Sequence, residues 1–285
     1  MKYHYALLDV FTETPFAGNP LALFSDAGEL DGAVMQRIAN ELNLSETVFI
    51  TGAPEPGVFS IRIFTPRSEI PFAGHPTIGT AHWLRASERL GAGHRLVLRE
   101  GIGDVVIGFE AQSTWLTTAQ PLRIDPASFD AATAAALLGL AEAEVIATPV
   151  VASCGLDYWL IELGASQALA RARLDVAAHD RLFEPQREGA LYLFCRQQGG
   201  ARARMFAPRA GIPEDPATGS AAAPLAGWLA HREAAPGAYR YRIEQGVEMG
   251  RPSLIEARVE RGTEGIERIE VGGRAVIVGG GWIAL

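Results

Sequence analysis

The sequence predicts an α+β fold made of two related halves. Its 285 residues, 48% hydrophobic and 20% charged, are enough for two globular domains of ordinary composition. Segments rich in β-forming residues outnumber helical segments and do not alternate with them regularly, which is typical of α+β folds. A motif at Pro15–Pro20 recurs at Pro71–Pro76 with one difference and, more loosely, at Pro216–Ala221. The last two copies indicate two halves that each present a glycine-containing turn before a helix.

The predicted strands are short runs of β-branched and aromatic residues, several with alternating polar and apolar positions. In chain order they are Tyr3–Phe11, Ser60–Phe64, Arg95–Leu98, Tyr158–Ile161, Leu191–Phe194, Arg204–Phe206, Ile266–Val271 and Arg274–Val278. The glycine triplet Gly279–Gly281 that follows is interpreted as a bend in a strand rather than a phosphate-binding loop.

Helical patterns are fewer. Asp31 can cap a helix with one apolar face, and that face contains Val34, Met35, Ile38 and Leu42. A second helix is predicted to begin near His75, a third to cover Ala131–Leu140 and a fourth to begin near Ser220. The stretch Thr114–Pro126, where Thr, Gln and Pro cluster, predicts the link between the halves, which then cover residues 1–116 and 117–275.

The composition excludes several classes of function. Lys and Arg number 25 against 33 Asp and Glu, giving a net charge of −8, and there is no block of basic residues. We therefore expect no nucleic-acid partner and no membrane partner, although a local pocket can still bind an anionic substrate. The two cysteines, Cys154 and Cys195, fit buried thiols rather than a disulfide framework or a metal motif. Without a signal-peptide core or an apolar segment of about 18 residues, we expect a cytoplasmic protein.

Two turns are candidate sites for an anion. Ala73–Gly79 and Thr218–Ala223 each combine glycine with small or polar residues and lead into a helical pattern. Backbone N–H groups and the positive end of a helix dipole at such a turn bind anions such as a carboxylate. Simple helix capping explains both turns equally well, so the pattern alone leaves the two interpretations open.

The candidate acid–base groups are Glu46, His75 and Asp215. Glu46 lies between a predicted helix and a predicted strand, His75 lies inside the first turn, and Asp215 precedes the second turn after Glu214. A carboxylate and an imidazole beside a bound carboxylate can move a proton on the adjacent carbon. The alternatives are a solvated surface position for Glu46, a turn-capping role for Asp215 and an N-cap role for His75.

Other chemistries lack their motifs. The chain has no G-x-S-x-G, no G-x-x-x-x-G-K-[ST] and no H-E-x-x-H. Gly101–Val106 lacks the last glycine of the dinucleotide fingerprint and leads into a strand. His75 and His82 are about two helical turns apart, but no third ligand is evident. We therefore expect no metal.

Taken in order, these segments resemble the PhzF family, named for the phenazine-biosynthesis isomerase. The matching segments are Asp9–Thr12, Phe16–Pro20, Asn43–Thr47, Arg62–Pro66 with Glu69, Phe72–Thr77, Glu214–Ala221, Gln245–Gly246 and Met249–Ser253. Each segment alone is a weak signal, but the ordered set covers most of the chain and is specific.

The resemblance implies a diaminopimelate-epimerase-like fold. Two pseudo-symmetric halves would each wrap a curved, mostly antiparallel sheet around a central helix, with the active site between them. A final strand over residues 276–285 would complete the first half. The resemblance also implies a cofactor-independent enzyme that forms a homodimer.

The resemblance further assigns roles to residues. The family's proton-shuttling glutamate falls on Glu46, and its supporting polar residues fall on His75, Asp215 and Ser220. The residues expected to bind the substrate are Asn19, Gly74, Thr218 and Gly219. Related epimerases use two cysteines at the turns, where this chain has Ala73 and Thr218, so two-thiol racemisation is disfavoured.

Three hypotheses follow. The first is an isomerase that shifts a proton in a small carboxylated substrate, similar to the phenazine-pathway dihydro-3-hydroxyanthranilate isomerase. The second is an epimerase that acts on an amino-acid derivative by a one-base route. The third is a non-catalytic protein that binds small acids. The presence of an acid, an imidazole and both turns together favours an enzyme.

Overall fold

The computed structural model describes residues 1–91, 95–184 and 188–285. Within them the chain divides into two compact units. Unit 1 consists of Met1–Thr117 and Gly272–Leu285, and unit 2 of Thr118–Val271. Curved, largely antiparallel sheets with few helices confirm the predicted α+β class. No helix in the described part of the chain combines the length and apolarity needed to cross a membrane.

The strands are numbered in chain order. The first eight are β1 (Lys2–Val10), β2 (Asn19–Phe24), β3 (Glu46–Glu55), β4 (Val58–Phe64), β5 (Glu69–Ile70), β6 (Leu96–Glu100), β7 (Gly103–Glu110) and β8 (Ser113–Thr117). The remaining strands are β9 (Arg123–Pro126), β10 (Val150–Ser153), β11 (Asp157–Glu162), β12 (Leu191–Gln197), β13 (Gly200–Ala207), β14 (Ile212–Asp215), β15 (Gly237–Gln245), β16 (Ser253–Arg261), β17 (Ile266–Gly273) and β18 (Ala275–Ala284).

The helices are α1 (Gly32–Leu42), α2 (Gly74–Ala86), α3 (Ala131–Leu138), α4 (Ser166–Arg171), α5 (Val176–Leu182) and α6 (Gly219–His231). Short 3₁₀ helices cover Glu142–Glu144, Pro208–Ala210 and Val247–Met249. The predicted cap of α1 is confirmed, since Asp31 Oδ1 accepts a hydrogen bond from Val34 N at 2.8 Å. α3 ends two residues earlier than predicted because Gly139 adopts the left-handed conformation that terminates helices.

The two units repeat one strand order. In unit 1, β1 is antiparallel to β2, β2 parallel to β3, β3 antiparallel to β4, β4 parallel to β6, and β6 antiparallel to β7. In unit 2 the series β10, β11, β12, β13, β15 and β16 has the same alternation. Parallel pairs need crossover connections, and in each unit the second crossover contains one long helix, α2 or α6.

Unit 1 is completed by the end of the chain. β18 pairs antiparallel with β1 from Lys2, opposite Ala284, to Val10, opposite Ala275. The register shifts between Leu7 and Leu8, which adds one residue to β18 at Val278. The adjacent glycine triplet follows this bulge, in agreement with the predicted bend.

α2 is the buried helix of unit 1, with every residue from Gly74 to Ala81 buried. A Cβ at Gly79 would lie 2.5 Å from Leu21 Cδ2, so glycine allows the helix to approach β2 closely. Ala73 is the N-cap, which makes Pro76 the third helical residue. Proline is tolerated there because N–H groups of the first helical turn have no partner within the helix. The alternative in which His75 is an N-cap is therefore wrong.

α6 is the corresponding buried helix of unit 2 and contacts β10, β11, β15 and β16. Alternate residues of β11 point to opposite faces of the sheet. Trp159 and Ile161 belong to a core cluster that includes residues of α3 and α4. Tyr158, one residue away from Trp159, instead reaches Ser220 at the start of α6. This alternation sends a polar group of a strand toward the helix N-terminus.

Candidate active site

Glu46 and His75 form the polar centre of unit 1. Glu46 is the first residue of β3, and the turn before it is made possible by Asn43, which ends α1 with a φ of 50°. His75 is the second residue of α2. Their Oε2 and Nδ1 atoms are 3.5 Å apart, and their side chains are 12% and 5% exposed. The solvated surface position considered for Glu46 is therefore wrong.

The imidazole of His75 is neutral at physiological pH. Complete burial lowers its pKa to about 3, an effect that the Pro20 carbonyl only partly offsets. A neutral imidazole has one donor and one acceptor nitrogen. It can therefore orient Glu46 or a substrate by hydrogen bonding without contributing a positive charge that would hold Glu46 in its ionised form.

The turn before β2 places Asn19 in the same unit. Asn19 is the first residue of β2, lies opposite Val10 and is fully buried. Gly18 precedes it with a φ of +67°, and a Cβ there would lie 2.4 Å from the Val10 carbonyl oxygen. The Phe16 N–H donates to Asp9 Oδ2 at 2.6 Å. The turn thus depends on both glycine and an internal carboxylate. Gly74, the other expected binding residue of unit 1, begins α2.

Asp215 and Thr218 form the polar centre of unit 2. Asp215 ends β14, and Thr218 is the N-cap residue of α6, immediately before Gly219. The Thr218 hydroxyl donates to Asp215 Oδ2 at 2.5 Å. The Asp215 side chain thus bonds to a side chain of the turn that opens α6.

Gln245, the last residue of β15, sets the direction of these hydrogen bonds. Its Nε2 donates to the Asp215 carbonyl at 2.8 Å and to Thr218 Oγ1 at 3.0 Å. Its Oε1 accepts from the Tyr192 hydroxyl at 2.9 Å and from Thr218 N at 3.2 Å. Because Thr218 Oγ1 accepts from the amide, its own proton is directed to Asp215. Asp215 Oδ2 is consequently an acceptor in this arrangement.

Ser220 has a separate partner. Its hydroxyl and that of Tyr158 are 2.6 Å apart, so one donates to the other.

Glu214, the neighbour of Asp215 on β14, has a different partner. It accepts two hydrogen bonds from the buried Arg204, at 2.7 and 2.9 Å. The chain therefore holds successive residues of β14 by separate interactions.

Comparison with known proteins decides the family. A family model for phenazine biosynthesis-like proteins matches residues 8–281. The chain belongs to this family. It is 37% identical over 287 residues to the trans-2,3-dihydro-3-hydroxyanthranilate isomerase of Pseudomonas chlororaphis, covering 99% of this chain and 100% of the relative. This phenazine biosynthesis-like protein is accordingly an isomerase, and the binding-protein hypothesis is not supported.

Solved structures of the family agree on the fold. A PhzF-family protein of Bacillus anthracis superimposes with a TM-score of 0.90 over 100% of both chains, at 22% identity. A protein of Pseudomonas aeruginosa described as a predicted epimerase superimposes with a TM-score of 0.78 at 31% identity, covering 99% of both chains. The resemblance recognised in the sequence is thus confirmed for the family and the fold.

Within each unit of this phenazine biosynthesis-like protein, the structure groups the residues singled out in the sequence. Glu46 and His75 lie together in unit 1, and Asp215 and Thr218 lie together in unit 2. Among the described residues, no group of three or more His, Cys, Asp and Glu side chains is arranged to hold a metal. Sequence reasoning missed the roles of Tyr158, Tyr192 and Gln245. The only signals were the hydroxyl groups of the two tyrosines on otherwise apolar strand segments and the match of Gln245–Gly246 to the family.

Proposed function

We propose that this isomerase moves a proton between two positions of a small carboxylated substrate, cyclic or derived from an amino acid. Glu46 takes the proton and returns it, and His75 orients the carboxylate. The observation that carries the proposal is the 3.5 Å approach of Glu46 Oε2 to His75 Nδ1, with both side chains largely buried. The relative named for trans-2,3-dihydro-3-hydroxyanthranilate supports a ring-containing carboxylic acid as the substrate class.

The chemistry requires one group that acts first as base and then as acid. A carboxylate within hydrogen-bond reach of a substrate C–H can accept its proton, and the same group can return the proton at a second carbon. Negative charge develops on the substrate as the proton leaves, and fixed donors stabilise it. We propose that Ser220 and the backbone at Asn19, Gly74 and Gly219 supply these donors. Asp215 and Thr218 would instead bind donor groups of the substrate.

The one-base epimerase remains a second candidate, because one relative of known structure, 31% identical to this chain, is described as a predicted epimerase. Both reactions begin with removal of a proton by Glu46. They differ in where the proton returns: at the same carbon with inverted geometry, or at a different carbon with a shifted double bond. Optical rotation of the recovered substrate separates the two outcomes.

The experiment measures deuterium incorporation in heavy water. Trans-2,3-dihydro-3-hydroxyanthranilate and a panel of small amino and unsaturated acids are incubated with the protein and analysed by mass spectrometry. Glu46→Gln is expected to lower the exchange rate at least ~100-fold, the lower limit for a lost general base, with an unchanged circular dichroism spectrum. Glu55→Gln, the same substitution at the exposed other end of β3, is the matched control. Equal exchange by wild type and Glu46→Gln would reject the assignment.

The proposal also includes catalysis without a cofactor and a homodimer, which the family resemblance supports, and the cytoplasmic location expected from the sequence. Exchange should persist after dialysis against a chelator and after denaturation and refolding in cofactor-free buffer. Native mass spectrometry should give twice the mass of one chain, which is 30.5 kDa. A monomeric mass would contradict the homodimer. An activity that is lost in these treatments and restored only by cell extract would contradict catalysis without a cofactor.

A further inference from the structure

Unit 1 contains a buried carboxyl group that the proposed reaction does not use. Glu100 is the last residue of β6 and is 7% exposed, and Thr77, one helical step beyond Pro76 in α2, is fully buried. The Thr77 hydroxyl oxygen lies 2.8 Å from Glu100 Oε1 and also 2.8 Å from the Ala73 carbonyl oxygen. Ala73 is the residue from which α2 begins.

These two short contacts share one hydroxyl proton. A threonine hydroxyl donates one hydrogen bond and accepts others, whereas a backbone carbonyl can only accept. If Glu100 were ionised, the carboxylate and the carbonyl would compete for the same proton, and one pair of oxygen atoms would meet without a hydrogen between them. If Glu100 is protonated, it donates to Thr77, Thr77 donates to Ala73, and both contacts are satisfied.

We infer that Glu100 is a positioning residue that stays protonated in the folded protein and, through Thr77, fixes the Ala73 carbonyl and the first turn of α2. Its Oε2 atom is buried and has no hydrogen-bond partner within the described residues, which a neutral acid tolerates better than a carboxylate does. Burial raises the pKa of Glu100 to about 8, and the Thr77 hydroxyl opposes this only in part.

The charged groups near Glu100 do not supply a partner for its ionised form. The titratable side chains on the neighbouring strands and on α2 are Arg62, Glu69, Arg99, Asp104, Glu110, His75, His82 and Arg85. Arg85 donates to the Ala111 carbonyl and lies over the ring of Phe109. Arg62 is already paired with Glu69, and Arg99 with Asp104. His75 is neutral, as described above. The burial of Glu100 is therefore not compensated by a free cation among these groups.

Loss of the proton would disturb the candidate active site. The Thr77 hydroxyl would turn to the carboxylate, and the Ala73 carbonyl would keep only its bond from Thr77 N at 3.2 Å. The oxygens of Thr77 and Ala73 would then repel one another at the turn that carries Gly74 and His75. This inference rests on the proposed function, because it assumes that His75 must be held beside Glu46 for proton transfer. The reaction is expected to slow as pH rises through about 8.

The first test compares pH–rate profiles of deuterium exchange. Glu100→Gln keeps a donor toward Thr77 but cannot ionise, so it should retain the rate measured at pH 7 and lose the alkaline decline. Thr77→Val should lower the rate about tenfold at all pH values, the factor expected for one lost hydrogen bond, whereas Thr77→Ser should restore it. An inactive Glu100→Gln, or an alkaline decline identical to that of wild type, would overturn the inference.

The second test does not depend on catalysis and so separates this inference from the proposed function. Infrared difference spectra between wild type and Glu100→Gln should show the C=O stretch of a protonated carboxylic acid at pH 6. That band should disappear with a midpoint near pH 8. A carboxylate spectrum for Glu100 already at pH 6 would overturn the inference even if the protein proves to be an active isomerase.

Discussion

Removal of the Arg204 guanidinium is expected to destabilise unit 2 strongly. Arg204 is 4% exposed and forms four hydrogen bonds, two to Glu214 and two to the carbonyls of Leu169 and Ala172 at the end of α4. Arg204→Met keeps the length of the aliphatic stem but removes every one of these donors. Glu214 then keeps a largely buried negative charge, and two carbonyls lose side-chain donors.

The expected loss in the free energy of unfolding is large, because a buried charge without its partner destabilises the fold by more than the intact pair stabilises it. Breaking a buried ion pair by removing one partner lowers the free energy of unfolding by about 3–5 kcal/mol. At roughly 2–4 °C per kcal/mol for a domain of this size, the melting temperature should fall by roughly 10 °C. Replacement of both partners, Arg204→Met with Glu214→Leu, removes the stranded charge and should recover more than half of the loss.

The assay is urea denaturation followed by tryptophan fluorescence, with melting temperatures from calorimetry. Arg268→Met is the matched control, since Arg268 forms an ion pair with Glu270 at 2.8 Å in the same unit but its side chain is 48% exposed. That variant should lose less than about 1 kcal/mol. The reasoning is refuted if Arg204→Met costs no more than Arg268→Met, or if the double variant is as unstable as Arg204→Met alone.

Two further predictions concern unit 1. Gly79→Ala should lower the free energy of unfolding by about 1 kcal/mol or more, because overpacking outweighs the gain in helix propensity. The new Cβ would lie 2.5 Å from the buried Leu21 and 2.8 Å from Val10. Gly52→Ala, where the added Cβ meets no atom within 4 Å, is the control measured alongside it. For Glu100, the folded-state pKa of about 8 exceeds the usual 4.5, so the folded protein binds a proton that the unfolded chain lacks between these pH values. The stability of the wild type relative to Glu100→Gln should therefore be highest below pH 4.5 and fall by up to about 5 kcal/mol by pH 8. A constant difference between the urea midpoints of the two proteins across this pH range would contradict the prediction.

The features that could be predicted from the sequence are those determined by neighbouring residues. The Asp31 cap, the apolar face of α1 and the turns that open α2 and α6 each depend on residues within one or two helical turns. The family motif added Glu46 as a candidate although its partner His75 lies far along the chain. Spacing alone could not have shown that these two side chains meet.

The features that could not be predicted depend on burial and on long-range pairing. Gln245 contacts Asp215 and Tyr192, which are 30 and 53 residues away, and Glu100 contacts Thr77 across 23 residues. A glutamate in a strand pattern is normally interpreted as solvent-facing, because charged groups are seldom buried. Only the three-dimensional structure shows that Glu100 lies on the buried side, where a neutral acid is favoured.

The pairing of β18 with β1 has a consequence for synthesis on the ribosome. Every residue of unit 2 lies within one continuous segment, so this unit can fold as soon as that segment has emerged. β18 follows unit 2 in the chain, yet it forms the strand beside β1. The nascent unit 1 therefore cannot complete its sheet until β18 has emerged. Until then one side of β1 is unpaired and available to other chains. Unit 1, which carries Glu46, is thus the first to be synthesised and the last to complete its fold.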